Sequence, residues 1–307
     1  MDIFLQQLVN GLTLGSIYAL VALGYTMVYG IMELINFAHG DVVMVGALAG
    51  LSVIAFLVGQ GWPAFWAVTA GVLLALAACM LLGWGIERVA YRPLRKAPKL
   101  APLITAIGLS IVLQQVSALL WGRGYLSFPA ILPTTSLSWN GVILTGIQAV
   151  IIVLALLLMA GLLVLVQRTS LGRAMRATAQ NPAVAQLMGV NTDRIIALTF
   201  VLGSALAAVA GVMVVAYYNV GHYTMGFMLG LKAFTAAVLG GIGNLAGAVL
   251  GGLLLGVVEA MGAGYIGDLT GGYFGSNYKD VFAFLVLIAV LVLHPNGLLG
   301  RRAREKV

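Results

Sequence analysis

The chain has 307 residues, of which 62% are hydrophobic and 8% charged, with a net charge of +7. That balance excludes an ordinary soluble domain and makes this a multispanning membrane protein, all-α and built as one integral bundle. The basic excess does not point to nucleic acid, because the bases cluster in a few short loops between apolar stretches, where they set topology. Cys79 is the only cysteine and lies in an apolar stretch, so neither a disulfide framework nor a cysteine metal cluster fits within one chain.

A membrane span needs about 20 apolar residues. The first, about 3–31, has only Asp2 ahead of it and is expected to be retained rather than cleaved as a signal peptide. Gly11 and Gly15 stand four apart on it, a spacing that lets helices approach closely. Glu33, His39 and Asp41 then crowd a membrane boundary, and Asn36 is expected to cap the next helix, about 38–58. This cluster reads either as an opening or gate of a translocation path or as a solvated turn among the headgroups. Metal ligation there has only His39 and Asp41 behind it.

The third span, about 64–86, leads into Arg88, Arg92, Arg95, Lys96 and Lys99, an inside loop by its charge. The fourth, about 101–121, carries Gln114 and Gln115, which either bond across helices or line a pore. The loop 122–141 has one base, Arg123, and belongs outside. A fifth span, about 142–166, returns to a polar interruption at 170–191, and a sixth, about 195–218, leads out to a loop that holds His222.

The next apolar segment divides at Gly241, Gly243 and Asn244 into arms of about 225–239 and 245–262. It reads either as a broken or re-entrant helix pair lining a permeation route or as two full spans joined by a tight turn. Lys232 and Glu259, one on each arm, are pathway groups or partners in a buried pair. A last span, about 278–293, precedes a basic tail from Arg301. Charge bias therefore puts the N-terminus outside and the C-terminus in the cytoplasm, with about eight or nine crossings.

In the interruption, Ser170 is expected to cap a short helix with Leu171, Ala174, Met175 and Thr178 on one face and Arg173, Arg176 and Gln180 on the other. Asn181 and Pro182 read as cap and first turn of a second helix that Gly189 ends. Composition alone also allows an amphipathic loop resting on lipid. The chain has no phosphate-binding loop and no protease, hydrolase or zinc motif. Energy for transport must come from ion gradients, which need several intramembrane acids, or from partners reached through this interruption.

Three runs now carry a resemblance: INFAHGD at 35–41, LGRAMRATAQNPAVAQLMGVN at 171–191 and AAVLGGIGNLAGAVLGG at 236–252. Together, and in this order, they resemble the LivH-type membrane subunits of branched-chain amino acid ABC transporters. The resemblance covers essentially the whole chain and implies a single permease domain, 1–307, in the bacterial inner membrane. It implies four kinds of neighbour: a second related permease, two ABC ATPase subunits, a periplasmic substrate-binding protein and membrane lipid. ATP and Mg would sit in the ATPases, with no cofactor and no enzymatic activity in this chain. The substrates implied are leucine, isoleucine, valine or related small polar solutes.

On that resemblance a coupling element lies within 168–194 and comprises Gly172, Arg173, Arg176, Ala177, Gln180, Asn181, Met188 and Gly189. Helical spacing turns Arg173, Arg176 and Gln180 to the ATPase. Leu171, Met175, Leu187 and Met188 would seat the element against the bundle or the ATPase cleft, with Gly172 and Gly189 permitting close approach. Asn36, His39, Asp41, Gln114, Lys232, Gly241, Gly243, Asn244 and Glu259 remain pathway or gate candidates. The competing class is a stand-alone secondary transporter or channel, against which stands the shortage of intramembrane acids.

Overall fold

The computed structural model describes residues 2–95, 97–98, 100–131, 136–139, 141–271, 273 and 278–300. The helices are α1 (Asp2–Met32), α2 (His39–Gly59), α3 (Ala64–Gly85), α4 (Leu100–Trp121), α5 (Gly146–Arg168), α6 (Ser170–Gln180), α7 (Pro182–Leu187), α8 (Thr192–Tyr218), α9 (Met225–Gly240), α10 (Leu245–Leu269) and α11 (Lys279–Leu293). α3 runs on into a π-helical turn at Ile86–Tyr91. Among the described residues, seven helices are long and apolar enough to cross a membrane, so this is a polytopic helical bundle.

Among the described residues, two small antiparallel sheets interrupt the helical pattern. β1 (Leu126–Ser127) pairs with β4 (Val220–Gly221), and β2 (Ser136–Trp139) pairs with β3 (Val142–Thr145), Leu137 opposite Leu144. The fifth span, expected from about 142, therefore begins at Gly146. Val142 to Thr145 are taken into the hairpin, and Thr145 with Gln148 closes a capping box on α5. α10 conversely runs to Leu269, past the expected end near 262.

α1 is the central helix, buried almost continuously from Leu14 to Val28. Its closest neighbour is α10. A methyl group on Gly11 would lie 2.6 Å from the Val257 Cα, one on Gly15 2.8 Å from the Leu253 Cα, and one on Gly252 2.5 Å from the Ala19 Cα. Gly256 rests directly on the backbone of Gly11 and Gly15. In lipid, apolar side chains gain little by leaving hydrocarbon, so backbone contact of this kind is what holds spans together.

Two helices begin inside the bundle rather than at its edge. The His39 ring at the start of α2 sits against Gly24 and Gly203, about 12 Å inside the end of α1 and about 17 Å inside the start of α8 at 1.5 Å per residue. α9 begins at the same depth, with Gly226 and Gly230 pressed on Gly40 and Asp41. α2 and α9 then run to opposite ends. The turn after α9 lies beside Gly30, Val166 and Arg176, at the end where α6 is found.

Gly256→Ala should force α1 and α10 apart and cost about 2 kcal/mol, read as a fall of several degrees in Tm in detergent. Gly108→Ala on α4, where nothing lies within 4 Å of the added methyl, should leave Tm unchanged or raise it slightly.

Candidate functional site

α6 and α7 form a bent helical pair at one end of the bundle. Thr169 caps α6, not the expected Ser170: its Oγ1 accepts from the Gly172 N–H at 3.1 Å, because Thr169 is the last extended residue and Ser170 is already helical. Gly172, Met175 and Thr178 are buried, Leu171, Ala174 and Ala177 half-buried, and Arg173, Arg176 and Gln180 exposed. Gly172 brings α6 onto α5, since a methyl there would meet the Leu165 carbonyl at 2.5 Å. Arg176 Nη1 donates to the Val166 carbonyl, one of the last on α5.

Asn181 Oδ1 accepts from the Ala183 and Val184 N–H groups at 3.0 and 3.1 Å, with Pro182 in the first turn of α7. Gly189, at φ +83°, ends the element, but it has open space around it, so the expected close approach is not made within this chain. α7 buries Ala185 and turns Leu187 and Met188 outward, 86% and 80% exposed. They are therefore not seated against the bundle.

A charged clamp that sequence reasoning missed sits beside this pair. Arg95 donates to Glu87 through Nη2 and to Asp193 Oδ1 at 2.6 Å through Nη1, and Arg92 also reaches Asp193. Asp193 opens α8, where the helix dipole favours an acid. Glu87 is buried on the π-helical turn, and Tyr91 on the same turn donates to Asn36 Oδ1 at 3.1 Å. Asn36 is therefore not the cap of α2; Ala38 holds that place without a side-chain bond, because the Asn36 oxygen is engaged by Tyr91. The available signal was two of nine acids placed among clustered bases.

At mid-depth, His39 lies edge-on to Tyr25 with ring centroids 4.8 Å apart. Asp41 accepts from Gln114 Nε2 at 3.1 Å, which also donates to Ser110 at 3.3 Å, so Gln114 joins α4 to α2. His39 and Asp41 are buried in protein, which removes the solvated-turn reading for them; Glu33 is exposed. Among the described residues, no three His, Cys, Asp or Glu side chains gather to hold a metal.

Lys232 and Glu259 are a buried pair. Lys232 Nζ lies 2.8 Å from Glu259 Oε1 and 2.7 Å from Asp280 Oδ1, and Lys279 Nζ is 3.5 Å from the same Glu259 oxygen. Tyr18 donates to Glu259 Oε2 at 2.9 Å. Lys232 also borders a cleft of about 340 Å³ at the end opposite α6, lined among others by Tyr125, Tyr218, His222 and Met228. The Gly241 and Gly243 backbones turn at φ +105° and +90°. Asn244 Oδ1 caps α10 through the Ala246 and Gly247 N–H groups, and its Nδ2 donates to the Leu299 carbonyl at 2.8 Å. Leu298 and Leu299 in turn donate to the Leu239 and Gly240 carbonyls, which α9 leaves free.

A polytopic bundle with two clusters of paired charges, two helices starting at mid-depth and an amphipathic helical pair at one end is a multi-pass integral membrane protein. The chain belongs to the family described as the permease component of branched-chain amino acid transport systems, whose profile matches residues 7–291. It is 47% identical, over 99% of its length and 98% of the relative's, to the high-affinity branched-chain amino acid transport system permease protein LivH of Salmonella typhimurium. With the corresponding protein BraD of Pseudomonas aeruginosa it shares 49% identity over the same fractions. A probable branched-chain amino acid transport permease protein LivH of Methanocaldococcus jannaschii is 27% identical over 93% of this chain and 89% of that protein. No solved structure matches.

Arg95→Met leaves Glu87 without its partner in a buried setting and should cost about 3 kcal/mol, measured by thermal unfolding in detergent. Adding Glu87→Gln should return most of that loss. Arg92→Met should cost under about 1 kcal/mol, because its partner Asp193 is 44% exposed.

Proposed function

We propose that this chain forms half of the translocation pore of an ATP-driven importer for branched-chain amino acids and takes its drive through α6 and α7. Residues 1–307 act as one permease domain in the bacterial inner membrane, with the coupling element within 168–194. Its partners are a second related permease, two ABC ATPase subunits that hold the ATP and Mg, and a periplasmic binding protein. The substrate class follows that of the named relatives, and with no phosphate-binding loop in this chain an ATP-driven cycle takes its ATPase from separate subunits.

The observation that carries the reading is the outward face of α7. Leu187 and Met188 are apolar and almost fully exposed, and the preceding helix α6 exposes Arg173, Arg176 and Gln180, a composition suited to being covered by protein. Motion imposed there has defined routes inward. Gly172 and the Arg176–Val166 bond tie α6 to α5, while Asp193, Arg95 and Glu87 tie the start of α8 to the π-helical turn. From that turn, Tyr91 and Asn36 lead to the mid-depth start of α2.

Orientation follows from charge: Arg88, Arg92, Arg95, Arg168, Arg173, Arg176 and Arg194 gather at the α6 end, which supports placing it in the cytoplasm. The basic tail from Arg301 lies outside the described residues. α9 has 16 residues, about 24 Å, yet reaches the α6 end because it starts at mid-depth. With the chain before it, α9 completes a crossing, which favours two joined spans over a re-entrant pair. Counting α9 and α11 with the seven long helices gives nine crossings, N-terminus outside and C-terminus inside.

Leu187→Asp with Met188→Asp should leave the chain folded but reduce ATP-driven leucine uptake by the reconstituted importer at least about tenfold, with loss of the ATPase on purification. Full uptake by this double variant places the docking surface elsewhere. On intact spheroplasts expressing this chain without the ATPase subunits, a membrane-impermeant maleimide should label Tyr125→Cys directly and Met188→Cys only after permeabilisation; the reverse order inverts the topology.

A further inference from the structure

The cleft beside Lys232 has features that the coupling scheme does not use. Its volume of about 340 Å³ falls in the range of small-molecule sites. It descends from Tyr125 and His222 to Lys232, one of four charges that sum to zero: Lys232 and Lys279 against Glu259 and Asp280. A guest of net charge would leave one ion in this setting uncompensated, and burial makes that costly. A zwitterion does not. Its carboxylate takes Lys232 in place of Asp280 and its ammonium takes the carboxylate so released, so two ion pairs replace one and the site stays neutral.

Of the two carboxylates paired with Lys232, Asp280 is the more open. Its side chain is 30% exposed, against 1% for Glu259, which Tyr18 also holds. The Tyr18 ring lies 5.8 Å from Lys232 Nζ, so the site already presents an aromatic face to an ammonium group. Val214, Met225, Met228 and Leu229 supply an apolar wall, and the two methionines can repack around side chains of different branching.

We propose that this cleft is a transit site for amino acids with uncharged, aliphatic side chains, held by their carboxylate on Lys232. It rests on the reading of the chain as an amino-acid permease subunit and goes beyond it: part of the discrimination against charged solutes is made in the membrane.

The test is saturation-transfer NMR on the full-length chain in lipid nanodiscs, without binding protein and against empty nanodiscs, with L-leucine as probe. Leucine should receive saturation, whereas leucine methyl ester and 4-methylpentanoate, which each lack one charge of the zwitterion, should not. Lys232→Gln should weaken leucine binding at least about tenfold, the scale of a hydrogen bond to a charged group. Met228→Trp, which fills the cleft without touching the ion pairs, should abolish the signal even if the lysine variant does not fold. ATP-driven uptake by the complete importer is measured in parallel. Leucine uptake without leucine saturation on the chain, or equal saturation by all three compounds, overturns the site and leaves the function standing. Saturation by another uncharged zwitterion, with no leucine taken up, overturns the leucine reading and keeps the site.

Discussion

The crossing of α1 and α10 is the contact from which most of the interior follows. Gly11 and Gly15 on one helix meet Gly252 and Gly256 on the other at distances that admit no side chain. Hydrocarbon surroundings give apolar side chains no strong reason to associate, so van der Waals contact between backbones has to do it. Tyr18 and Glu259 lie on opposite sides of this antiparallel crossing, and because the two backbones are so close their long side chains reach back across it to bond. With Glu259 fixed, Lys232 is drawn to it and the start of α9 is set at mid-depth.

In its two ionic clusters the bundle handles charge by local neutralisation. At one level Lys232, Lys279, Glu259 and Asp280 balance each other; near α6, Arg92 and Arg95 balance Glu87 and Asp193. Buried pairs of this sort add little net stability compared with apolar packing, because desolvation offsets most of the attraction. Their structural effect is to fix which helices meet and at what height. The clamp fixes α8 to the π-helical turn, and the larger cluster joins α9, α10 and α11. Movement at either place must exchange partners rather than expose bare charge.

α6 and α7 show how far local rules reach. Asn181 and Pro182 start α7 and Gly189 ends it, because caps and turn conformations depend on the residue and its immediate neighbours. The polar and buried faces of α6 also follow from spacing alone. The cap at Thr169 was displaced by one residue, since both Ser and Thr suit that role and only the backbone turn decides between them. Asn36 failed as a cap for a different reason: Tyr91, 55 positions along the chain, engages its oxygen.

Composition and hydropathy by themselves determined a helical membrane bundle, the order of its spans and the position of the polar helical pair, because each depends on a single window of sequence. Family membership was legible in three runs for the same reason. Only the tertiary structure decided that Lys232 and Glu259 are partners, that Gln114 bonds Asp41, and that α2 and α9 start inside the bundle. Tyr18 and Glu259 are separated by 241 residues, and nothing in either neighbourhood names the other. Close glycine packing brings them together, and that packing is a property of two surfaces rather than of any one stretch of chain.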